Sequence, residues 1–335
     1  MAPKWKRIIL KIGWVNKLIA FLKTVKPPGF QGLSLWYVST FMWVAINKGS
    51  IPTRAAAISF RLFLAFFPGI IMLLSLIPYI PVPNFQDQLF DGIAEFFPGD
   101  TFSLFESTLD DLIKKKHNTL LSIGFILVIY YASNSINAIL LGFNASHLRD
   151  DKDNPILIRV ASIVLIFVLG IIMILAIMMN VFSGVAFDYL HKIGVIGDRG
   201  YIPILDVVKY IITLFLIYSI ITILYNVGMG ARRRRRWRFF NAGATLATLA
   251  FVIASIGFAY FINNFANFNK LYGSLGTLMV LLIWLNFNCT LLLIGFELNV
   301  SIRHAHKNLP KEKPTPPPVV VARNTFKHEN SNPSS

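Results

Sequence analysis

Six apolar runs, each long enough to cross a lipid bilayer as a helix, constrain this chain more than any other feature. A transmembrane helix needs about 20 apolar residues to span a hydrocarbon core ~30 Å thick. Segments at 58–80, 120–141, 156–182, 207–227, 239–261 and 272–300 meet that demand. In hydrocarbon every backbone N–H and C=O must be bonded internally, so these runs are expected as helices. Composition points the same way. Of 335 residues, 55% are apolar and 14% charged, against roughly a quarter charged in soluble domains. The expected fold is all-α and polytopic: a bundle of six transmembrane helices, with N- and C-termini cytoplasmic, an amphipathic N-terminal helix and a helical outer loop.

Charge sorts the connections by side. There are 32 Lys and Arg against 16 Asp and Glu, a net of +16. Cytoplasmic loops hold the excess of Lys and Arg in membrane proteins. Six spans starting inside place four basic regions together: the N-terminal arm, Arg149 with Lys152, the run Arg232, Arg233, Arg234, Arg235, Arg236 with Arg238, and the C-terminal tail. The other side receives Asp87, Asp91, Glu95, Asp100, Glu106, Asp110 and Asp111, with Lys114–Lys116 the main exception and Lys192, Arg199 and Lys270 its few other cations. Leu33–Asn47 is a shorter run, about 22 Å at 1.5 Å per residue. Counting it as a seventh span sends the basic arm outside, so it is expected as an interfacial or bundle-side helix. The chain then divides into a basic amphipathic segment at 1–50, a membrane domain at 51–302 and a basic, Pro/Asn/Ser-rich disordered cytoplasmic tail at 303–335.

The largest outer loop, 81–118, carries two helical periodicities: Phe85, Leu89, Ile93, Phe96 and Phe97, then Phe105, Leu109, Leu112 and Ile113. They predict two short amphipathic helices capping the bundle or resting on the outer leaflet. The arginine run in isolation resembles a nucleic-acid patch. Between two spans it reads as a topology anchor touching anionic headgroups. The expected partners are the bilayer, its anionic headgroups and envelope proteins, with no nucleic acid; oligomeric state is not readable. The N-terminal arm scatters Lys4, Lys6, Arg7 and Lys11 among its apolar residues, unlike a cleavable signal.

Polar groups within a bilayer are costly, so they are functional candidates. Arg61 and Glu297 each lie three residues inside an expected span end on the same side, and opposite charges at equal depth can lock two helices together; Arg54 is the other candidate partner. Asn134 and Asn137 share a helix face of the second span, with Ser135 and Asn144 nearby. Such a face is either interhelical glue or the wall of a polar path. Asn286 and Asn288 interrupt the last span and face different ways. Pro68 and Pro78 can kink or end the first span. Asn263, Asn264, Asn267 and Asn269 read as a polar turn.

Catalytic signatures are not found. His117, His147, His191, His304, His306 and His328 form no known ligand spacing, and Cys289 is the single cysteine. No metal site or cofactor is expected, and the chain is not read as an enzyme.

Two stretches carry a family resemblance. Arg54-Ala-Ala-Ala-Ile-Ser-Phe leading to Phe66-Phe67-Pro68-Gly69, and Tyr272-Gly273-Ser274-Leu275-Gly276 followed by Trp284 and Gly295-Phe296-Glu297-Leu298-Asn299, resemble the first and last spans of the YihY/BrkB family. Ala132-Ser133-Asn134 with Asn144 resembles the second, and the arginine-rich loop before Gly243 also fits. The likeness covers about 50 to 302. Members often carry a Tyr-Arg-x-x-Pro-like turn after the fourth span, where this chain has Tyr225-Asn226-Val227-Gly228-Met229.

The resemblance implies a multi-pass protein of the bacterial inner membrane. Envelope integrity, serum resistance and export of lipids or small molecules have been proposed for relatives, and members have carried the label ribonuclease BN. Three readings follow: a transporter or exporter of lipid-like or small amphiphilic solutes, a structural or assembly protein of the envelope, and, third, a ribonuclease. The last needs a metal-binding His/Asp cluster that this sequence does not assemble.

Overall fold

The computed structural model describes residues 13–79, 86–87, 90, 106–149, 152–192, 202–230, 239–264 and 274–308, and the regular elements among them are helical. In chain order they are α1 (Gly13–Thr24), α2 (Leu35–Lys48), α3 (Ile51–Leu76), α4 (Glu106–Lys114), α5 (Asn118–Asn144), α6 (Pro155–Lys192), α7 (Ile202–Gly228), α8 (Ala242–Asn264) and α9 (Ser274–Lys307). Six helical stretches are long and apolar enough to cross a membrane: Ile51–Tyr79, Asn118–Asn144, Pro155–Ala176, Val207–Gly228, Ala242–Ile262 and Leu278–Lys307. The expected count holds, and the differences lie at the ends.

The first span begins at Ile51 rather than residue 58. Pro52 sits in the first turn, where the missing N–H costs nothing, and Ala55 and Ile58 are buried just beyond it. Pro68 does not end the span. The helix continues to Leu76 and closes in a 3₁₀ turn, Ile77–Tyr79, that contains Pro78. The last helix runs past Val300 to Lys307 because Ile302 and Ala305 are buried against α2. His304 and His306, read as tail, are therefore helical; residues 309–335 lie outside the described residues, as do 1–12.

α2 settles on the bundle side. Ser34 caps it, its hydroxyl accepting from the Tyr37 N–H at 3.3 Å and satisfying one orphan donor of the first turn. Val38 packs with Leu298, Ile302 and Ala305 of α9. The Phe41 ring meets His304 edge-on at 5.4 Å.

The starts of α3, α6 and α8 meet the ends of α5, α7 and α9 at one pole of the bundle, the Glu297 pole. Almost the whole apolar core sits there, with Ile58, Phe143, Leu224, Ala244, Leu293 and Phe296 among its members. Phe143 stacks on Phe296 at 4.1 Å, and the Tyr225 ring meets both edge-on at 5.5 and 5.7 Å. Towards the far pole Ile123, Ile126, Ile253, Ile256, Met279 and Ile283 are exposed. An apolar surface this extended is incompatible with water and calls for lipid. α4, a nine-residue helix within the stretch 81–118, lies at the far pole with Ile113 fully buried. Phe85, Leu89, Ile93, Phe96 and Phe97, the first expected helix, lie outside the described residues.

Candidate functional site

The segment Gly295-Phe296-Glu297-Leu298-Asn299 of α9 organises the Glu297 pole. At 3.6 residues per turn, residues four apart share a helix face and residues two apart lie about 200° round the axis. Gly295 and Asn299 accordingly face α8, while Glu297 faces α3 and the end of α5.

On the α8 side, glycine lets two backbones meet. A Cβ on Gly295 would lie 2.7 Å from the Gly243 carbonyl oxygen and 2.9 Å from Ala247 Cβ, so no larger residue fits without moving a helix. This is the small-residue contact that lets membrane helices approach closely. Asn299 then completes the start of α8. Its Oδ1 accepts from the Gly243 N–H at 2.8 Å, and its Nδ2 donates to Asn241 Oδ1 at 2.8 Å. Asn241 is the N-cap, its Oδ1 also accepting from the Ala244 N–H at 2.7 Å.

On the other side, Glu297 is fully buried and paired with Arg54, not Arg61. Its Oε1 lies 2.7 Å from Arg54 Nη2, and its Oε2 accepts from the Ser146 hydroxyl at 2.6 Å. Arg54 Nη1 donates to the Gly142 carbonyl at 2.7 Å. The pair therefore ties α3, α5 and α9 together, with both carboxylate oxygens engaged. Arg61 is on nearly the same face of α3 but seven residues further along, about 10 Å at 1.5 Å per residue, and its side chain is exposed. Only its backbone carbonyl joins the bundle, accepting from Ser135 Oγ at 2.8 Å.

The asparagines of α5 face α6. Asn134 Oδ1 accepts from Arg159 Nη1 at 2.8 Å, and Asn137 Oδ1 lies 3.5 Å from Ser162 Oγ. Asn144 closes the α5–α6 connection on Asp153, accepting its N–H at 2.9 Å and donating to its carbonyl at 3.2 Å. Arg149 pairs with Asp153 at 2.6 Å and donates to the Gly228 carbonyl at 2.7 Å, fastening that connection to the end of α7. Tyr225 donates its hydroxyl to the Leu292 carbonyl at 2.6 Å, and Gly230 follows with φ of 101°, a left-handed conformation suited to glycine. That is how this chain turns after its fourth span.

Beyond the packed pole, two clefts flank α9. One, of about 510 Å³, lies between α3 and α9 and is lined by Ser59, Phe60, Asn286, Phe287 and Thr290 among others. The Ser59 and Thr290 hydroxyls donate to carbonyls of their own helices, those of Ala56 and Asn286, at 3.0 and 2.9 Å. The Asn286 carboxamide has no hydrogen-bond partner among the described residues. The other cleft, of about 340 Å³, involves α3, α8 and α9 and is lined by Leu62, Phe251, Trp284, Asn288, Cys289 and Leu292 among others. Trp284 stacks on Phe258 at 4.2 Å, and its carbonyl accepts from Asn288 Nδ2 at 2.8 Å.

Of the residues singled out in the sequence, the structure thus joins Arg54 with Glu297, and Gly295 with Asn299 around Gly243. It places Asn286 in a cleft and Gly276 in a buried position. Tyr272, Gly273 and the arginines Arg232, Arg233, Arg234, Arg235, Arg236 and Arg238 lie outside the described residues. Sequence reasoning passed over Ser146, Arg159 and Asn241. Arg159 carried a readable signal, a cation inside the third apolar run. Asn241, just before the small residues Ala242-Gly243-Ala244, carried the N-cap signal. Among the described residues, no group of three His, Cys, Asp or Glu is placed to hold a metal ion.

Residues 42–319 match the family model described as Virulence factor BrkB. The chain is 27% identical to YfkH of Bacillus subtilis (strain 168), named as ribonuclease-like, over 78% of this chain and 93% of that protein. It is 23% identical to a UPF0761 membrane protein of Tolumonas auensis, over 79% of this chain and 84% of the relative. It is likewise 23% identical to one of Aggregatibacter aphrophilus, over 77% and 89%. No solved structure matches the chain.

Proposed function

We propose, for a chain that belongs to the Virulence factor BrkB family, that it moves a lipid-like or small amphiphilic solute through the bacterial inner membrane. The observation that carries this reading is the cleft between α3 and α9. Its lining includes Phe60, Ile283 and Phe287, which are exposed on the bundle surface, and it sets Ser59, Asn286 and Thr290 into an otherwise apolar wall. A solute with an apolar body and a polar head fits such a surface. At the Glu297 pole the route is shut by the Arg54–Glu297–Ser146 contact and the Phe143–Phe296 stack. A bundle sealed at one end, with a cleft between its helices just beyond the seal, suits a transporter resting in one of two alternating states.

Orientation follows from charge. The Glu297 pole holds the end of α7 and the start of α8, the two elements between which Arg232–Arg236 fall in sequence, and the end of α9. The positive-inside rule makes it cytoplasmic, with both termini inside. The arginines there act as an anchor on anionic headgroups.

Reconstitution tests the reading. Purified protein in liposomes moves fluorescent lipid or organic anions faster than empty vesicles, with or without an ion gradient. Equal rates in both vesicle types overturn it.

A second reading, a structural or assembly protein of the envelope, draws on the asparagines of α5. Asn134, Asn137 and Asn144 are spent on hydrogen bonds to α6 and its approach rather than on a cavity wall. It requires stable co-purification with other envelope components. A ribonuclease activity, suggested by the name of YfkH, ranks third. It requires metal-dependent cleavage of RNA by the purified protein, lost on changing His304 or His306.

A further inference from the structure

Asn286 is the anomaly of the α3–α9 cleft. It lies 11 residues before Glu297 on α9, about 16 Å along the axis, and so near mid-depth in a hydrocarbon core ~30 Å thick. Its carboxamide offers two donors and an acceptor, and none is used among the described residues. The neighbouring hydroxyls cannot donate to its oxygen, because Ser59 and Thr290 have committed their hydrogens to helix carbonyls. Water is scarce at this depth, and leaving an amide unbonded in an apolar medium costs several kcal/mol. The group that completes Asn286 must therefore come from the membrane phase. It must donate to Oδ1, it can accept from Nδ2, and it must have an apolar body to lie along Phe60 and Phe287.

Charge narrows the choice further. Among the described residues, no Asp, Glu, Lys or Arg lines this cleft. Arg61, the nearest cation in sequence, lies about 200° round α3 from Ser59 at 3.6 residues per turn. A phosphate or an ammonium head would enter without a counter-charge at a depth where charge is expensive.

We infer that the α3–α9 cleft binds an uncharged amphiphile, with a hydroxyl or primary amide head on the Asn286 carboxamide and its alkyl chain along Phe60 and Phe287. This rests on the transport reading for its purpose and deepens it by naming the substrate class. The binding itself can be measured without transport.

The test uses the full chain in phosphatidylcholine nanodiscs with three probes of equal length, each carrying a diazirine in the alkyl chain: hexadecanol, hexadecane and hexadecyl phosphate. After illumination, adducts are mapped by mass spectrometry. Hexadecanol labels the peptides containing residues 56–60 and 282–290 roughly 5-fold more than hexadecane, the size expected of one net hydrogen bond. Hexadecyl phosphate labels them less than hexadecanol, and unlabelled hexadecanol competes. Asn286→Leu removes the preference of alcohol over alkane while total labelling of the protein persists. Equal labelling by alcohol and alkane in the unaltered protein overturns the inference, as does phosphate matching or exceeding alcohol. Those two comparisons need no variant, so misfolding cannot obscure them. Protein that prefers the alcohol but moves nothing in liposomes overturns the transport reading alone. Protein that moves lipid without any head-group preference here overturns this inference alone.

Discussion

The two poles of the bundle are built on different principles. At the Glu297 pole, helices meet through interlocked aromatics, a glycine crossing and buried hydrogen bonds: Phe143 on Phe296, Gly243 on Gly295, Arg54 with Glu297 and Ser146. Towards the far pole the same helices present Ile126, Ile253, Ile256 and Met279 outward, and Gly257 would meet nothing within 4 Å if given a Cβ. Lipid tails are as apolar as these side chains, so no hydrophobic force draws the far halves together. Geometry and polar contacts must do so, and they are concentrated at one end. One half of each span is thus specified by protein neighbours and the other by the solvent it sits in. That division leaves room for clefts to open and close without unfolding the molecule.

The comparison breaks most visibly at the buried ion pair. Glu297→Ala leaves Arg54 without its carboxylate and is expected to cost about 3–5 kcal/mol, the usual penalty for orphaning a buried charge. Thermal unfolding in detergent checks it. Ile256→Ala, at an exposed site on α8, is expected to cost under ~1 kcal/mol by the same measurement. Replacing both charges, Arg54→Met with Glu297→Met, recovers most of the loss, because well-packed apolar groups often replace a buried pair without penalty. If Glu297→Ala and Ile256→Ala destabilise equally, the poles do not differ in the way described.

The glycines sharpen the contrast at a smaller scale. Gly295→Ala forces a Cβ against the Gly243 carbonyl oxygen, and backbone cannot yield as a side chain can. The expected cost is about 1–3 kcal/mol, as for other overpacked sites. Gly257→Ala on α8 has open space and is expected to be neutral or stabilising by up to ~1 kcal/mol through helix propensity. Paired melting curves decide; equal shifts would mean that the α8–α9 crossing is not tight.

These pairs also mark what was legible in the sequence. The six spans were readable because hydropathy over about 20 residues is a sum, insensitive to any one contact. Their ends were not, because tertiary packing sets them: Ala55 and Ile58 carry α3 back to Ile51, and Ile302 and Ala305 carry α9 on to Lys307. That error moved the charge pairing. With the first span drawn from residue 58, Arg61 looked level with Glu297, whereas α3 begins early enough for Arg54 to hold that place. The Gly-x-Glu-x-Asn spacing was visible, but its division into two faces with two partners needs the positions of α8 and α3. Ser146 was invisible for a plainer reason: a serine just beyond a helix end has many bland uses, and only the fold brings it to Glu297.

The smallest effect lies outside the spans, on α4. There Asp111 is held below its ordinary value of 3.8, first by the hydrogen bond from Lys115, with that lysine's charge and His117 adding to it. Lys115 is raised above 10.5 chiefly by the same bond. The sign follows from linkage. A carboxyl whose folded value is depressed contributes its stability above pH 3.8 and loses it as pH falls through the lower folded value. Lys115 contributes below pH 10.5 and loses it as pH rises through its raised value. Protection of the 110–116 amides, corrected for intrinsic exchange, should therefore stay level from pH 7 to 5 and decline only below 3.8; Asp111→Asn should remove the decline. The change is expected to be slight and to shrink in salt, because these charges are exposed and screened by solvent. Glu297 lies at the other pole with no such screening. If salt weakened Glu297 as much as α4, its carboxylate would have to be wet, and the contrast between the two ends would lose its basis.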